Sequence, residues 1–359
     1  MPHIINNLFY KDVELTPYEK RKILDNKQIQ NIMKKEFKDI DLRKRVNSML
    51  KMNRYKIPIF FITFNRLTVL KECVQAIIDT INKEKTPYQF VFCDNVSTYQ
   101  PLIDWLKEKE QEEDNHVIWN NKNDLYWATK HNITQWFDDE KKRIEEDETR
   151  DMSSYPQYYV LNDPDISIRD CDGDILEHFK YMLDLNMHLQ VVGTMIRIDD
   201  IPKEYQLYDH VMSRHERIWA IQKINTKWKK DKNVKYIPFM VDTTFGMYRH
   251  TFRKDNKTKF ATGIRVLQPY ACRHLDWYIP LDKNTPEDQK VYLKTSSGVS
   301  HWYGRIMRAY ENGDMSKEDE VSRQVEHMKD RYERRLVKIK TEQNERRKKL
   351  EQKKNRILS

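Results

Sequence analysis

Long hydrophobic runs are missing from this 359-residue chain: the longest, Ile57 to Phe64, spans eight residues and contains Pro and Thr. Crossing a bilayer as a helix takes about 20 apolar residues, so no transmembrane segment is expected. The opening stretch, MPHIINNLFYKDVEL, lacks the basic start and apolar core of a signal peptide, and the expected location is cytoplasmic. Cysteine is scarce. Cys73, Cys93, Cys171 and Cys272 show no C-x-x-C spacing and no local His partner, which excludes a zinc ribbon and argues against a disulfide framework. Glycine is also sparse, at seven residues. No Walker-type loop, G-x-S-x-G or H-E-x-x-H occurs, so the commonest signatures of NTPases, serine hydrolases and zinc proteases are absent.

What the chain does have is charge, at 34% against 38% hydrophobic residues. Its net +9 is unevenly placed. From Ser316 to Ser359 there are 15 Lys/Arg against 9 Asp/Glu, so this tail holds +6 of the total. Its broken apolar spacing (Val321, Val325, Met328, Tyr332, Ile339) predicts a long charged helix over 314–359. Homo-oligomer formation through that helix is one expectation for it. Residues 1–55 read as a polar helical lead-in.

Between these extensions the pattern alternates. IPIFFITF reads as a strand buried on both faces, LTVLKECVQAIIDTI as a helix, YQFVFCD as a strand and TYQPLIDWLKEKEQ as a helix. HVIWN, LYWATKHNITQWF and YYVLN then continue as strand, helix and strand. Such alternation predicts an α/β fold with a doubly wound, mostly parallel sheet. A further helix (CDGDILEHFKYMLDL) and strand (HLQVVGTMIRI) come next. The domain expected over 56–313 divides into halves at 56–200 and 201–313.

The sharpest motif is YYVLNDPDISI. It delivers Asp163 and Asp165 at the carboxyl end of a buried strand, where open α/β sheets bind ligands. Hard cations such as Mn²⁺ or Mg²⁺ take oxygen ligands from one or two carboxylates plus substrate phosphates. The later pairs, Asp170/Asp172 and Asp172/Asp174, read instead as helix caps or solvated loop. An EF-hand register centred on Gly173 fails, because Ile168 and Phe179 would fall at ligand positions. Asp94, ending YQFVFCD, is placed to accept hydrogen bonds from a base or ribose, whereas Asn95 and Ser97 suit an Asx-type turn.

The ordered set PIFFITFNRLTVLKECVQAI, FVFCDNVSTYQPL and VLNDPD resembles family-2-type GT-A glycosyltransferases. The resemblance covers about 57–200 well and 235–305 loosely. It implies a nucleotide-diphospho-sugar donor contacted by Thr63, Asn65, Arg66, Asp94, Asn95 and Asp163. Asp163 and Asp165 would hold a divalent Mn or Mg ion, with His301 as a late ligand. The glycines that the family often carries after its third strand are replaced here by Leu125, Tyr126 and Trp127. In such a fold Arg273, His274 and Trp277 would wall a glycan or other hydroxyl acceptor. Asp276 is then the first candidate for general base and Asp242 the second, and inversion at the anomeric carbon is the expected outcome. A buried Arg273–Asp276 salt bridge is the structural alternative at that point. Two rivals are a nucleotidyltransferase, which calls for a Gly-rich basic loop where the chain has TFNRLTV, and a nucleic-acid-binding protein using the basic tail.

Overall fold

The structure, a computed structural model, describes residues 55–123, 126–150, 152–185, 189–205, 208–221, 223–229, 232–250, 263–279 and 284–296. The expected lead-in helix, the charged helix over 314–359 and His301 lie outside the described residues. The chain divides into two compact units. One comprises, in its described parts, 55–199, 220–276 and 286–292; the other comprises 200–219, 277–285 and 293–296.

The larger unit holds a nine-stranded sheet. Its first strands alternate with helices as the sequence pattern predicts: β1 (Ile57–Thr63), α1 (Leu67–Thr80), β2 (Tyr88–Asp94), α2 (Gln100–Glu110), β3 (Asn115–Trp119), α3 (Tyr126–Glu146) and β4 (Tyr158–Asn162). Then come β5 (Ile166–Ser167), α4 (Ile175–Leu185), β6 (Val191–Thr194), β7 (Ile224–Lys229), β8 (Lys232–Ile237), β9 (Gly246–Arg249), β10 (Gly263–Val266) and β11 (Arg273–His274). The smaller unit carries α5 (Tyr208–Trp219). The order across the sheet is β3-β2-β1-β4-β9-β6-β10-β8-β7, with β5 and β11 forming a separate two-stranded ribbon. β9 and β8 run against the other seven strands. The expected α/β fold with a mostly parallel sheet is therefore present, in mixed form.

β1 is apolar on both sides because helices cover both faces. Phe60 meets Trp136 of α3 edge-on at 5.7 Å, and the next residue, Phe61, stacks at 5.7 Å on Phe92, which in turn meets Trp105 of α2 at 5.4 Å. Consecutive aromatics thus feed opposite cores, as the period of two in a strand demands. Of the later acid pairs, Asp170 pairs with Arg197 and Arg273, and Asp172 with Lys232. Asp174 accepts from Tyr270 Oη (2.7 Å), Trp228 Nε1 (3.0 Å) and Lys232 Nζ (2.7 Å), tying the start of α4 to β7 and β8.

The reversal of β9 shapes the edge of the sheet. Because β9 pairs antiparallel with β4, with Leu161 opposite Gly246, its leading loop 238–245 arrives at the same sheet edge where β1, β2 and β4 end. Inserting this strand requires small residues. A Cβ on Gly193 of β6 would lie 2.3 Å from Val241 Cγ1 and 3.3 Å from Gly246 Cα, and Val241 is itself buried.

Gly193→Ala is therefore expected to destabilise by about 1–3 kcal/mol through overpacking. Adding Val241→Ala should recover part of that loss. Urea midpoints of the single and double variants check it; a neutral Gly193→Ala would mean that the strands are not packed this closely.

Candidate functional site

The ends of β1 and β2 are knitted together. Asn65 adopts φ 53°, a left-handed conformation that Asn tolerates. Its side-chain oxygen accepts from the backbone N–H groups of Thr98 (2.7 Å) and Tyr99 (2.9 Å), and its own N–H donates to Ser97 Oγ at 3.0 Å. Asp94 is buried at the end of β2. Its carboxylate accepts from Ser97 N–H (2.9 Å), the Ser97 hydroxyl and Thr63 Oγ1 (3.2 Å). Asp94 thus performs the turn capping that the sequence pattern assigned to Asn95 and Ser97, and Thr63 faces Asp94. Asn95 Oδ1 accepts from Asn120 Nδ2 at 3.1 Å. Val96, at φ 64°, and Phe245, at φ 45°, are also left-handed. Such strain in bulky residues is tolerated only where the surroundings over-determine it. All three lie in loops at the carboxyl edge of the parallel strands.

At the centre of that edge is a buried cation between two carboxylates. The Arg66 side chain leaves the β1–α1 loop and donates from Nη1 to Asp165 Oδ2 at 2.7 Å, while Nη2 pairs with Asp276 Oδ1. All three residues are at most 4% exposed. The guanidinium lies 4.6 Å over the ring of Tyr292 in α6 (Glu287–Thr295). The same helix supplies Asp288, whose carboxylate accepts from Thr68 N–H (2.7 Å) and Thr68 Oγ1 (2.9 Å) and so caps α1 from 220 positions away. Neither Asp288 nor Tyr292 is conspicuous in the sequence: TPED has the form of a local helix start, yet Asp288 serves a different helix.

Asp165, His274 and Asp276 form the group that the geometry brings within reach of one ion, their nearest ligand atoms all within 4.8 Å of one another. It is the one such group of His, Cys, Asp and Glu among the described residues. The short β5–β11 ribbon makes it, since pairing His274 with Ile166 and Arg273 with Ser167 carries His274 and Asp276 to Asp165. His274 Nδ1 lies 3.7 Å from Asp165 Oδ2. Two carboxylates and an imidazole are donors that a divalent cation can take. The residues present therefore fit a divalent ion.

The other half of D-P-D points elsewhere. The Asp163 carboxylate accepts from the Thr243 hydroxyl, and its N–H donates to Thr243 O at 2.7 Å. Burial pushes the Asp163 carboxyl well up from its ordinary value, and the Asp165 charge pushes it further. Burial acts the same way on Asp165, but the charges of His274 and Arg66 outweigh it and hold that carboxyl below its ordinary value. Asp242, one residue before Thr243, is half exposed and pairs with Arg265 Nη2 at 2.9 Å. Arg273 pairs with Asp170 and not with Asp276, so the Arg273–Asp276 salt bridge is replaced by one between Asp276 and Arg66. In the smaller unit, Trp277 is 1% exposed and packs edge-on against His215 of α5 at 4.9 Å, so its ring is enclosed.

No family model matches the sequence, and no curated protein matches it. Solved structures do show similarity. One is a mannosyltransferase from Pyrobaculum calidifontis in complex with GDP-Man and Mn²⁺ (10% identity, TM-score 0.39, covering 71% of this chain and 61% of that one). A second is S. aureus TarS 1-349 (12% identity, TM-score 0.38, 67% and 63%). A third is GalNAc-T7 with UDP, GalNAc and Mn²⁺ (10% identity, TM-score 0.41, 76% and 55%). The chain spans less than two thirds of the length of each. Likeness at this level says nothing of individual residues.

The opposite shifts of the two acids predict opposite stability effects in metal-free buffer. Asp165 stabilises the fold fully above the ordinary carboxylate range, and that contribution fades as pH falls through its lowered value. Asp165→Asn should cost roughly 3–5 kcal/mol at pH 7, leaving Arg66 short of a buried partner, and the deficit should shrink below about pH 4. Asp163 has the reverse sign: its ionisation is opposed in the folded state, so Asp163→Asn should be neutral or stabilising at pH 7. Urea midpoints between pH 3.5 and 8 check both; equal destabilisation by the two variants at pH 7 would contradict this electrostatic account.

Proposed function

We propose that this chain is a divalent-metal-dependent glycosyltransferase that moves a sugar from a nucleoside diphosphate-sugar to an acceptor hydroxyl. The observation that carries the reading is the Asp165–His274–Asp276 cluster beside Arg66, at the sheet edge where β1, β2 and β4 end. Open α/β sheets bind ligands at that edge, and transfer from such a donor needs cationic help for a leaving diphosphate. The proposed metal set is Asp165, His274 and Asp276. Asp276, a candidate general base by its sequence context, is assigned as a ligand because it is buried on Arg66. His274 likewise moves from the acceptor wall to the metal.

When bound, the ion neutralises charge that develops on the leaving diphosphate. Arg66, with five fixed donors, adds bidentate contacts to phosphate oxygens. The knitted loops at Asn65 and Asp94 hold a rigid floor for the nucleoside. Asp242 is the proposed base, since it is the exposed carboxylate of the loop that carries Thr243. In the transfer step the acceptor oxygen forms a bond to the anomeric carbon, and the carbon–oxygen bond to the diphosphate breaks with its electron pair going to the leaving group. The acceptor proton passes to Asp242. A single displacement of this kind inverts the anomeric centre.

Incubation with a panel of UDP- and GDP-sugars plus Mn²⁺, with nucleoside diphosphate release as readout, tests the activity. Asp276→Ala and His274→Ala should abolish Mn²⁺-dependent release. Asp242→Asn should lower transfer by about 10²–10⁴-fold with donor affinity nearly unchanged. Full activity of Asp276→Ala would remove the proposed metal site, and full transfer by Asp242→Asn would remove the proposed base.

A further inference from the structure

The two carboxylates that could hold a cation already hold one. Arg66 Nη1 lies 2.7 Å from Asp165 Oδ2, Nη2 pairs with Asp276 Oδ1, and the guanidinium lies over the ring of Tyr292 in a site where all three ionic partners are buried. Each carboxylate thus has one oxygen engaged by the guanidinium, and that engagement uses part of its acceptor capacity. A divalent ion held by both carboxylates and the imidazole would add its charge beside the guanidinium, with little water to screen the repulsion.

We propose that Arg66 is an internal competitor for the divalent ion: guanidinium and metal occupy the Asp165–Asp276 pair alternately, and a diphosphate admits the metal by drawing Arg66 away. This rests on the reading of the donor as a nucleoside diphosphate-sugar, which supplies the diphosphate. The chemistry of exchange is direct. Arginine binds carboxylate and phosphate through the same planar fork, so a diphosphate arriving at the sheet edge offers Arg66 an equivalent partner. Its transfer frees two buried carboxylates, which then need a new cation. Arg66 is also suited to the movement. It stands at the N-cap of α1 without making a side-chain cap of its own, since Asp288 caps that helix instead. Releasing its side chain therefore leaves the helix start intact. The consequence is reciprocal coupling, in which nucleotide raises metal affinity and metal raises nucleotide affinity.

The test is Mn²⁺ titration of the full chain, following the free-ion electron paramagnetic resonance signal, with thermal melting in parallel. Arg66→Gln should bind Mn²⁺ about tenfold tighter than wild type in the absence of nucleotide, a typical coupling size. Its melting midpoint should also rise more on Mn²⁺ addition. Arg66→Lys keeps the charge but cannot bridge both carboxylates; it should fall between the two, and it carries the comparison if Arg66→Gln does not fold. UDP or GDP should raise Mn²⁺ affinity by a larger factor in wild type than in either variant. If the Arg66 variants bind Mn²⁺ no tighter than wild type while Asp165→Asn abolishes binding, the metal site stands and the competition is overturned. If no variant binds Mn²⁺, or Asp165→Asn leaves binding unchanged, the proposal falls together with the metal reading of the site.

Discussion

The ion triad of Arg66, Asp165 and Asp276 joins three segments that are 99 and 210 positions apart from Arg66 along the chain. Burying such charges is costly, and the attraction offsets that cost only when every partner is in place. The constraint therefore runs outward: the β1–α1 loop, the turn after β4 and the 3-10 turn at Leu275–Tyr278 must converge to one geometry. Tyr292 under the guanidinium and Asp288 on the first turn of α1 bind α6 into the same arrangement. A buried triad of this kind is weak evidence for net stability; what it does is tie the positions of three distant segments to one another.

Strand direction explains why so much chemistry meets at one edge. β1, β2 and β4 end there because they are parallel, and the antiparallel β9 brings in its leading loop from the opposite direction. That single reversal sets Thr243 against Asp163 and the half-exposed Asp242 beside it. Gly193 is the local cost of the insertion, as the close approach of Val241 leaves no room for a side chain.

How much of this was legible in the sequence depends on the range of the interactions. β1 to β4 and their helices were readable because buried parallel strands are continuous apolar runs and helices have their own period. Asp165 was readable as a carboxylate at a strand end. Asp276 and His274 were readable as polar residues among aromatics, but their approach to Asp165 was not, because it depends on a ribbon of two residue pairs with no periodic signature. The turn after β2 was legible only in part: the Asp94 oxygens accept from Ser97 and Thr63 in a loop that the neighbouring Asn and Ser have the chemistry to close. β9, four residues long with Gly at its start, gives no hint of its direction in its composition.

Whether Asp165, His274 and Asp276 hold the ion while Arg66 yields its place is tested most directly by anomalous diffraction from crystals grown with Mn²⁺ and UDP. The predicted result is one peak within ligand distance of Asp165, His274 and Asp276, with the Arg66 guanidinium turned to phosphate. A peak between Asp163 and Asp165 that leaves His274 uninvolved and Arg66 still bridging Asp165 and Asp276 would contradict it.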